Sequence, residues 1–133
     1  MEHGENKKTV TYGYEGKATI LPNSFGEETW HRVTLLLGGG VYHAVYIPKE
    51  ESDPLETFFL FEEAGEVMKL QHCRVVGRKQ MILERAMSQR STCALAAAAF
   101  QLGLIDDSVR IVAPCCCTTA RRGEKGAWHL GME

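Results

Sequence analysis

Residues 91–102 read Ser-Thr-Cys-Ala-Leu-Ala-Ala-Ala-Ala-Phe-Gln-Leu, and Gly103 follows. Alanine is the strongest helix former, so the stretch predicts a helix from about Ser91 to Leu102. Gly103 suits the left-handed residue just past its end. Ala94, Ala96, Ala97, Ala98 and Ala99 leave little side chain on most of the circumference. A helix that is apolar nearly all round is buried on every side, which predicts a curved sheet wrapped closely about it. Alanines selected for propensity alone would instead give an amphipathic helix lying on one sheet face. The residues leave both arrangements open.

Elsewhere the chain reads mainly as strands. Lys8 to Leu21 resembles two short strands about a glycine-containing turn. His31 to Pro48 reads as strand, glycine corner, strand, with Gly38, Gly39 and Gly40 marking a bulge or a place where something approaches the backbone closely. Asp53 to Leu70 opens on a helix-start signal, Asp53 as N-cap with Pro54 and Glu56 behind it. Cys73 to Leu83 reads as one or two strands. Ser108 to Pro114 is a strand, Thr118 to Ala127 holds a hairpin turn, and Trp128 to Met132 is a last strand. This gives six to eight short strands and two helices. With 133 residues, one domain is expected, spanning residues 8–133 behind a polar tail, Met1 to Lys7. The predicted class is α+β: a curved antiparallel sheet or barrel around a central Ala-rich helix.

Charge and cysteine usage bear on function. The net charge of −2 offers no nucleic-acid surface. No apolar run reaches the roughly 18 residues needed to span a bilayer, and the N-terminus lacks the hydrophobic region of a signal peptide. Three of the five cysteines are adjacent, Cys115, Cys116 and Cys117. Neighbouring strand residues point to opposite faces, so no disulfide framework is read here. Reduced thiols in the cytoplasm are expected instead.

The start of the Ala-rich helix is the candidate site. Ser91 reads as N-cap, with Thr92 and Cys93 in the first turn. Backbone N–H groups there are unsatisfied and the dipole end is positive. Such an end holds carboxylates and lowers the pKa of a thiol. The competing reading of Cys93 is a small apolar filler.

The stretch from Ser91 to Pro114 resembles the C-terminal half of diaminopimelate epimerase. That family has an Ala-rich central helix, then Leu-Gly-Leu, then a strand ending in Pro-Gly-Gly. Gly40 to Ile47 looks like the family's Gly-Asn-Pro-His-x-Val strand. Asp53 to Met68 sits where the family has a helix, and Trp128 to Met132 where it has a strand near Thr-Gly. The resemblance implies a curved antiparallel sheet around a central helix. It also implies a cofactor-independent isomerase in which a cysteine at a helix N-terminus moves the α-proton of an amino acid. Three registers remain open. One places Ser88 on the catalytic cysteine, with Ser88 to Ser91 replacing Cys-Gly-Thr-Gly. A second, closer to the proline racemases, places it on Cys93. A third reads Glu84 and Arg85 as the family's substrate-binding pair. Ser91 and Thr92 would help hold the carboxylate, and His43 would be a polar group in the cleft or a structural strand histidine. Pro114 to Cys117 replaces Pro-Gly-Gly.

A site of this type needs two facing halves. A homodimer or a separate partner half-chain is therefore expected. The expected ligand is a small carboxylate-bearing molecule, in particular an amino acid, with no cofactor, nucleic acid or membrane. The alternative is a catalytically inactive relative of the fold with a ligand-binding or subunit-interaction role. His72, Cys73, Cys93, His129 and the triple cysteine lack metal-ligand spacing, so no metal site is expected. Gly38, Gly39 and Gly40 lack the helix start of a phosphate loop.

Overall fold

The computed structural model describes residues 11–12, 18–22, 29–37, 40–49, 52, 54–62 and 67–132. Within them, strands alternate buried and half-exposed residues and so declare their inner faces. On Gly40–Ile47, Tyr42, Ala44 and Tyr46 are buried in the core, while Val41, His43 and Ile47 are half-buried on the other face. Among the described residues ten strands form one sheet: β1 Thr11–Tyr12, β2 Ala18–Pro22, β3 Thr29–Leu37, β4 Gly40–Ile47, β5 Glu56–Glu62, β6 Val67–Val76, β7 Gln80–Leu83, β8 Ser108–Val112, β9 Cys117–Arg122 and β10 Trp128–Met132. Their order is β1-β10-β9-β8-β7-β6-β5-β4-β3-β2.

Every pairing is antiparallel except β7 with β8, where Met81 faces Ile111. Parallel neighbours need a crossover connection. It is supplied by the one helix among the described residues, α1 Gln89–Gln101. The sheet is a curled half-barrel, and chain connectivity requires the curl. Laid flat at about 4.8 Å per strand, ten strands would put the edges β1 and β2 about 43 Å apart. Yet Tyr12 and Ala18 are six residues apart in sequence and lie within about 21 Å of each other by chain reach alone.

The curl encloses α1. Nine consecutive helix residues, Ser91 to Ala99, are buried, which no one-sided helix allows. Strands β3, β4, β5, β9 and β10 all touch the helix. Val33, Leu35, Phe58, Leu60 and Met81 pack toward it, and the alanines let their strands approach closely. The wrapped arrangement is therefore the one adopted.

Two expectations about the strands are corrected. Asp53 to Leu70 holds no helix among its described residues; Glu56–Glu62 and part of β6 are strands. Aromatic and β-branched residues at period two outweigh the local cap signal. Phe58 and Leu60 are buried inward, while Phe59 faces outward between Val45 and Leu70. Asp53 itself lies outside the described residues, as do Met1 to Lys7, Gly38 and Gly39. The second correction concerns the first two strands, which form no hairpin: β1 pairs with β10 and β2 with β3. The described residues thus hold ten strands and one α-helix where six to eight strands and two helices were expected.

The helix ends are capped by side chain and glycine. Ser88, not Ser91, is the N-cap: its Oγ accepts from the Ser91 N–H at 3.1 Å. At the other end Gly103 has φ +80°, the Leu104 N–H donates to the Ala99 carbonyl, and the Gly103 N–H donates to that of Phe100, both at 2.9 Å. This is a Schellman ending, which satisfies carbonyls the helix leaves open. Arg78 reinforces it from the β6–β7 turn. Its Nε donates to Asp106 at 2.9 Å, Nη2 to the Ile105 carbonyl at 3.4 Å, and Nη1 to the Gly103 carbonyl. Gly77 and Arg78 have φ of 59° and 64°, the paired positive angles of a type I′ turn. No helix among the described residues is long and apolar enough to cross a membrane.

Candidate functional site

At the N-terminal end of α1 an apolar cleft opens between the helix start and β7, β8 and β10. Leu83, Ile111, Ala113 and Leu130 form its walls, and Met87, Gln89 and Thr92 bring the helix start to it. Cys115 and Cys116 stand at its rim. Its volume is about 80 Å³, roughly half that of a cavity of about 150 Å³ that holds benzene. The cleft admits an apolar body of a few heavy atoms.

The expected site residues divide into three groups. Ser88, Ser91, Thr92 and Cys93 lie together at the helix start. Ser88 Oγ donates to Ser91 Oγ at 3.0 Å, and Thr92 Oγ1 donates to the Ser88 carbonyl at 2.7 Å. These hydroxyls are engaged in capping. Cys93 is fully buried among the alanines, with Sγ 3.9 Å from the Trp128 carbonyl oxygen. Burial pushes its thiol up to about 12, the opposite of the lowering that an exposed helix start produces.

Glu84 and Arg85 form the second group, on the approach to the helix. Their side chains are exposed, and their backbone is held from inside. The fully buried Gln71 accepts from the Glu84 N–H at 3.1 Å and the Arg85 N–H at 3.0 Å. It also donates to the Arg85 carbonyl at 2.9 Å. His43 lies apart from both groups, on the outer face of β4. Its Nδ1 is 3.4 Å from Thr34 Oγ1 and its ring centroid 5.3 Å from that of Phe61. The structure does not bring His43 to the helix start.

The glycine corner does receive a close neighbour. A Cβ on Gly40 would lie 3.1 Å from the Tyr42 ring and 3.6 Å from Arg90 Nη2. The Arg90 guanidinium sits 4.6 Å from the centroid of that ring, a cation–π contact that ties the helix start to β4.

A polar constellation that sequence reasoning missed lies at the opposite end of α1. Glu56 is buried, and its Oε1 accepts from the Tyr46 hydroxyl at 2.5 Å and the Lys49 N–H at 3.2 Å. Burial, then Glu56, holds the Tyr46 hydroxyl above its ordinary range. The same causes push the Cys73 thiol up to about 12. Tyr46, Lys49 and Glu56 wall a wide groove of about 480 Å³ that reaches Arg78 and Gly103. The only signal for it was parity: read as a strand, Glu56, Phe58 and Leu60 share one face. Among the described residues no three histidine, cysteine or acidic side chains gather as a metal site.

The fold and cleft define a class: a mixed α+β protein in which a curled half-barrel sheet holds a single buried helix. Comparison with protein families, curated proteins and solved structures found no match to this chain.

Proposed function

We propose that this chain is a non-catalytic relative of the helix-in-sheet isomerase fold that binds a small carboxylate-bearing molecule in the cleft at the N-terminal end of α1. One observation carries the reading. The thiol best placed for proton transfer, Cys93, is sealed and held protonated, while an open apolar cleft lies beside the same helix start. A thiol that stays neutral at physiological pH is a poor base. Leu83, Ile111, Ala113 and Leu130 offer dispersion contacts to a short apolar body. The positive end of the helix dipole, with Gln89 and Thr92 beside it, favours an anionic head there.

The test is titration of the ¹⁵N-labelled protein with isovalerate, lactate and leucine, with α-proton exchange of the leucine followed in deuterated water. The expected outcome is amide shifts confined to Thr92, Ile111, Ala113 and Leu130 with isovalerate, and no α-deuteration. Absence of shifts at those residues would remove the binding reading. Deuteration that disappears in Cys93→Ala would replace it with the isomerase that the resemblance implies.

A further inference from the structure

The loop between β8 and β9 is a two-residue hairpin turn. The Ala113 N–H donates to the Cys116 carbonyl at 2.9 Å, and the Cys116 N–H returns to the Ala113 carbonyl at 3.3 Å. Pro114 and Cys115 are the loop residues, with Pro114 holding one φ near −65°. This rigid turn places Cys115 Sγ and Cys116 Sγ 2.8 Å apart with both residues exposed. The hydrogen bond shared with Cys115 holds the Cys116 thiol above its ordinary range, as two thiols in mutual contact should behave. Cys117 is close enough for its charge to act on Cys116, but the other three cysteines are differently engaged. Cys73 and Cys93 are buried, and Cys117 Sγ accepts from Arg110 Nη2 at 3.7 Å.

We propose that Cys115 and Cys116 form a chelating site for a thiophilic Lewis acid that takes two sulfur donors, with trivalent arsenic as the representative. The reasoning is geometric and independent of what fills the cleft. Consecutive Cα atoms across a trans peptide are about 3.8 Å apart, and no described peptide bond is cis. Disulfides span about 4.4–6.8 Å between Cα atoms, so a direct S–S bond between these neighbours is strained. One bridging atom enlarges the ring from eight members to nine and removes that strain. Soft thiolate donors select soft acceptors. Once one sulfur is bound, the second bond closes intramolecularly at high effective concentration. Two donors exclude a closed tetrahedral zinc site. With phenylarsine oxide as probe, two S–H bonds break, two As–S bonds form, and the oxide oxygen leaves with both protons as one water. Arsenic remains trivalent, so no oxidant or reductant takes part.

The experiment is native mass spectrometry of the reduced full chain with phenylarsine oxide, in excess 2-mercaptoethanol to strip singly held arsenic. One arsenical per chain is expected, released by 2,3-dimercaptopropanol. Cys115→Ser and Cys116→Ser should each lose it, while Cys117→Ser and Cys93→Ala keep it. Thermal melts of the two turn variants, whose changes lie at exposed positions, confirm that folding is intact. No adduct under these conditions, or an adduct that survives the Cys115→Ser/Cys116→Ser double change, would overturn the proposal.

Discussion

Cys93 shows how a single residue changes meaning once its surroundings are known. Its place in the first turn of a helix points to a lowered pKa; full burial raises it from an ordinary value of 9.0 to about 12, because a thiolate loses its hydration there. Cys73 moves the same way for the same leading reason. The pH dependence follows in sign. Below about pH 9 both the folded and the unfolded chain keep these protons, and the stabilisation is complete. As pH rises from 9 toward 12 the unfolded chain releases them and the folded chain does not, so stability falls. Each thiol contributes a loss of about 1.4 kcal/mol per pH unit in that window. The urea midpoint should therefore drop between pH 9 and pH 11, and drop less in Cys93→Ala. At pH 8 a thiol reagent should reach Cys115, Cys116 and Cys117 in the native protein, and all five thiols only after unfolding. Gln71 gave no sign of its role in the sequence. Its three bonds to the Glu84–Arg85 backbone join residues 13 and 14 positions apart, a distance that no local pattern spans.

Secondary-structure elements were legible where local chemistry and tertiary packing agree. The Ala-rich helix, its glycine ending and the strands around it follow from propensity and turn chemistry. The boundary at the N-terminus shifted by one turn, because Ser88 and Ser91 are both competent caps and only the path of the preceding loop chooses between them. Asp53 to Leu70 was misread because a cap signal of three residues is local, whereas a strand draws its stability from neighbours such as Tyr46 and Gln71 opposite Phe58. The caps carry measurable stability. Ser88→Ala should cost about 1 kcal/mol, and Gly103→Ala about 1–2 kcal/mol, since its φ of +80° strains any side chain. Urea denaturation of the two variants and the double change checks both. The effects should add, as the two ends share no partner.

Over the whole molecule, the curl of the sheet determines what each helix position tolerates. Residues 96, 97 and 98 point in directions about 100° apart, yet all three alanines are fully buried. On a one-faced helix at least one would accept a larger side chain at little cost. Here Ala96→Leu, Ala97→Leu and Ala98→Leu should each destabilise by about 1–3 kcal/mol through overpacking. The exposed Gln101→Leu should stay within about 0.5 kcal/mol. Thermal denaturation of the four variants measures this directly, and a neutral result at any of the three alanines would mean an open face. The same curl explains the candidate site. The cleft exists because β7, β8 and β10 converge beside the helix start, and the Glu56–Tyr46 pair meets because β4 and β5 are neighbours. Neither convergence is visible along the chain.

By itself the sequence determined the central helix, the strand-rich remainder and the turn between Thr118 and Ala127 that joins β9 to β10, because each rests on residues within a few positions of one another. The tertiary structure alone decided that β1 and β2 lie at opposite edges, that Phe59 faces outward, and that His43 stands away from the helix. It alone decided too that Cys93 is sealed rather than poised. Those outcomes depend on pairing and burial between segments tens of residues apart, where desolvation and packing override the local preferences that a chain displays.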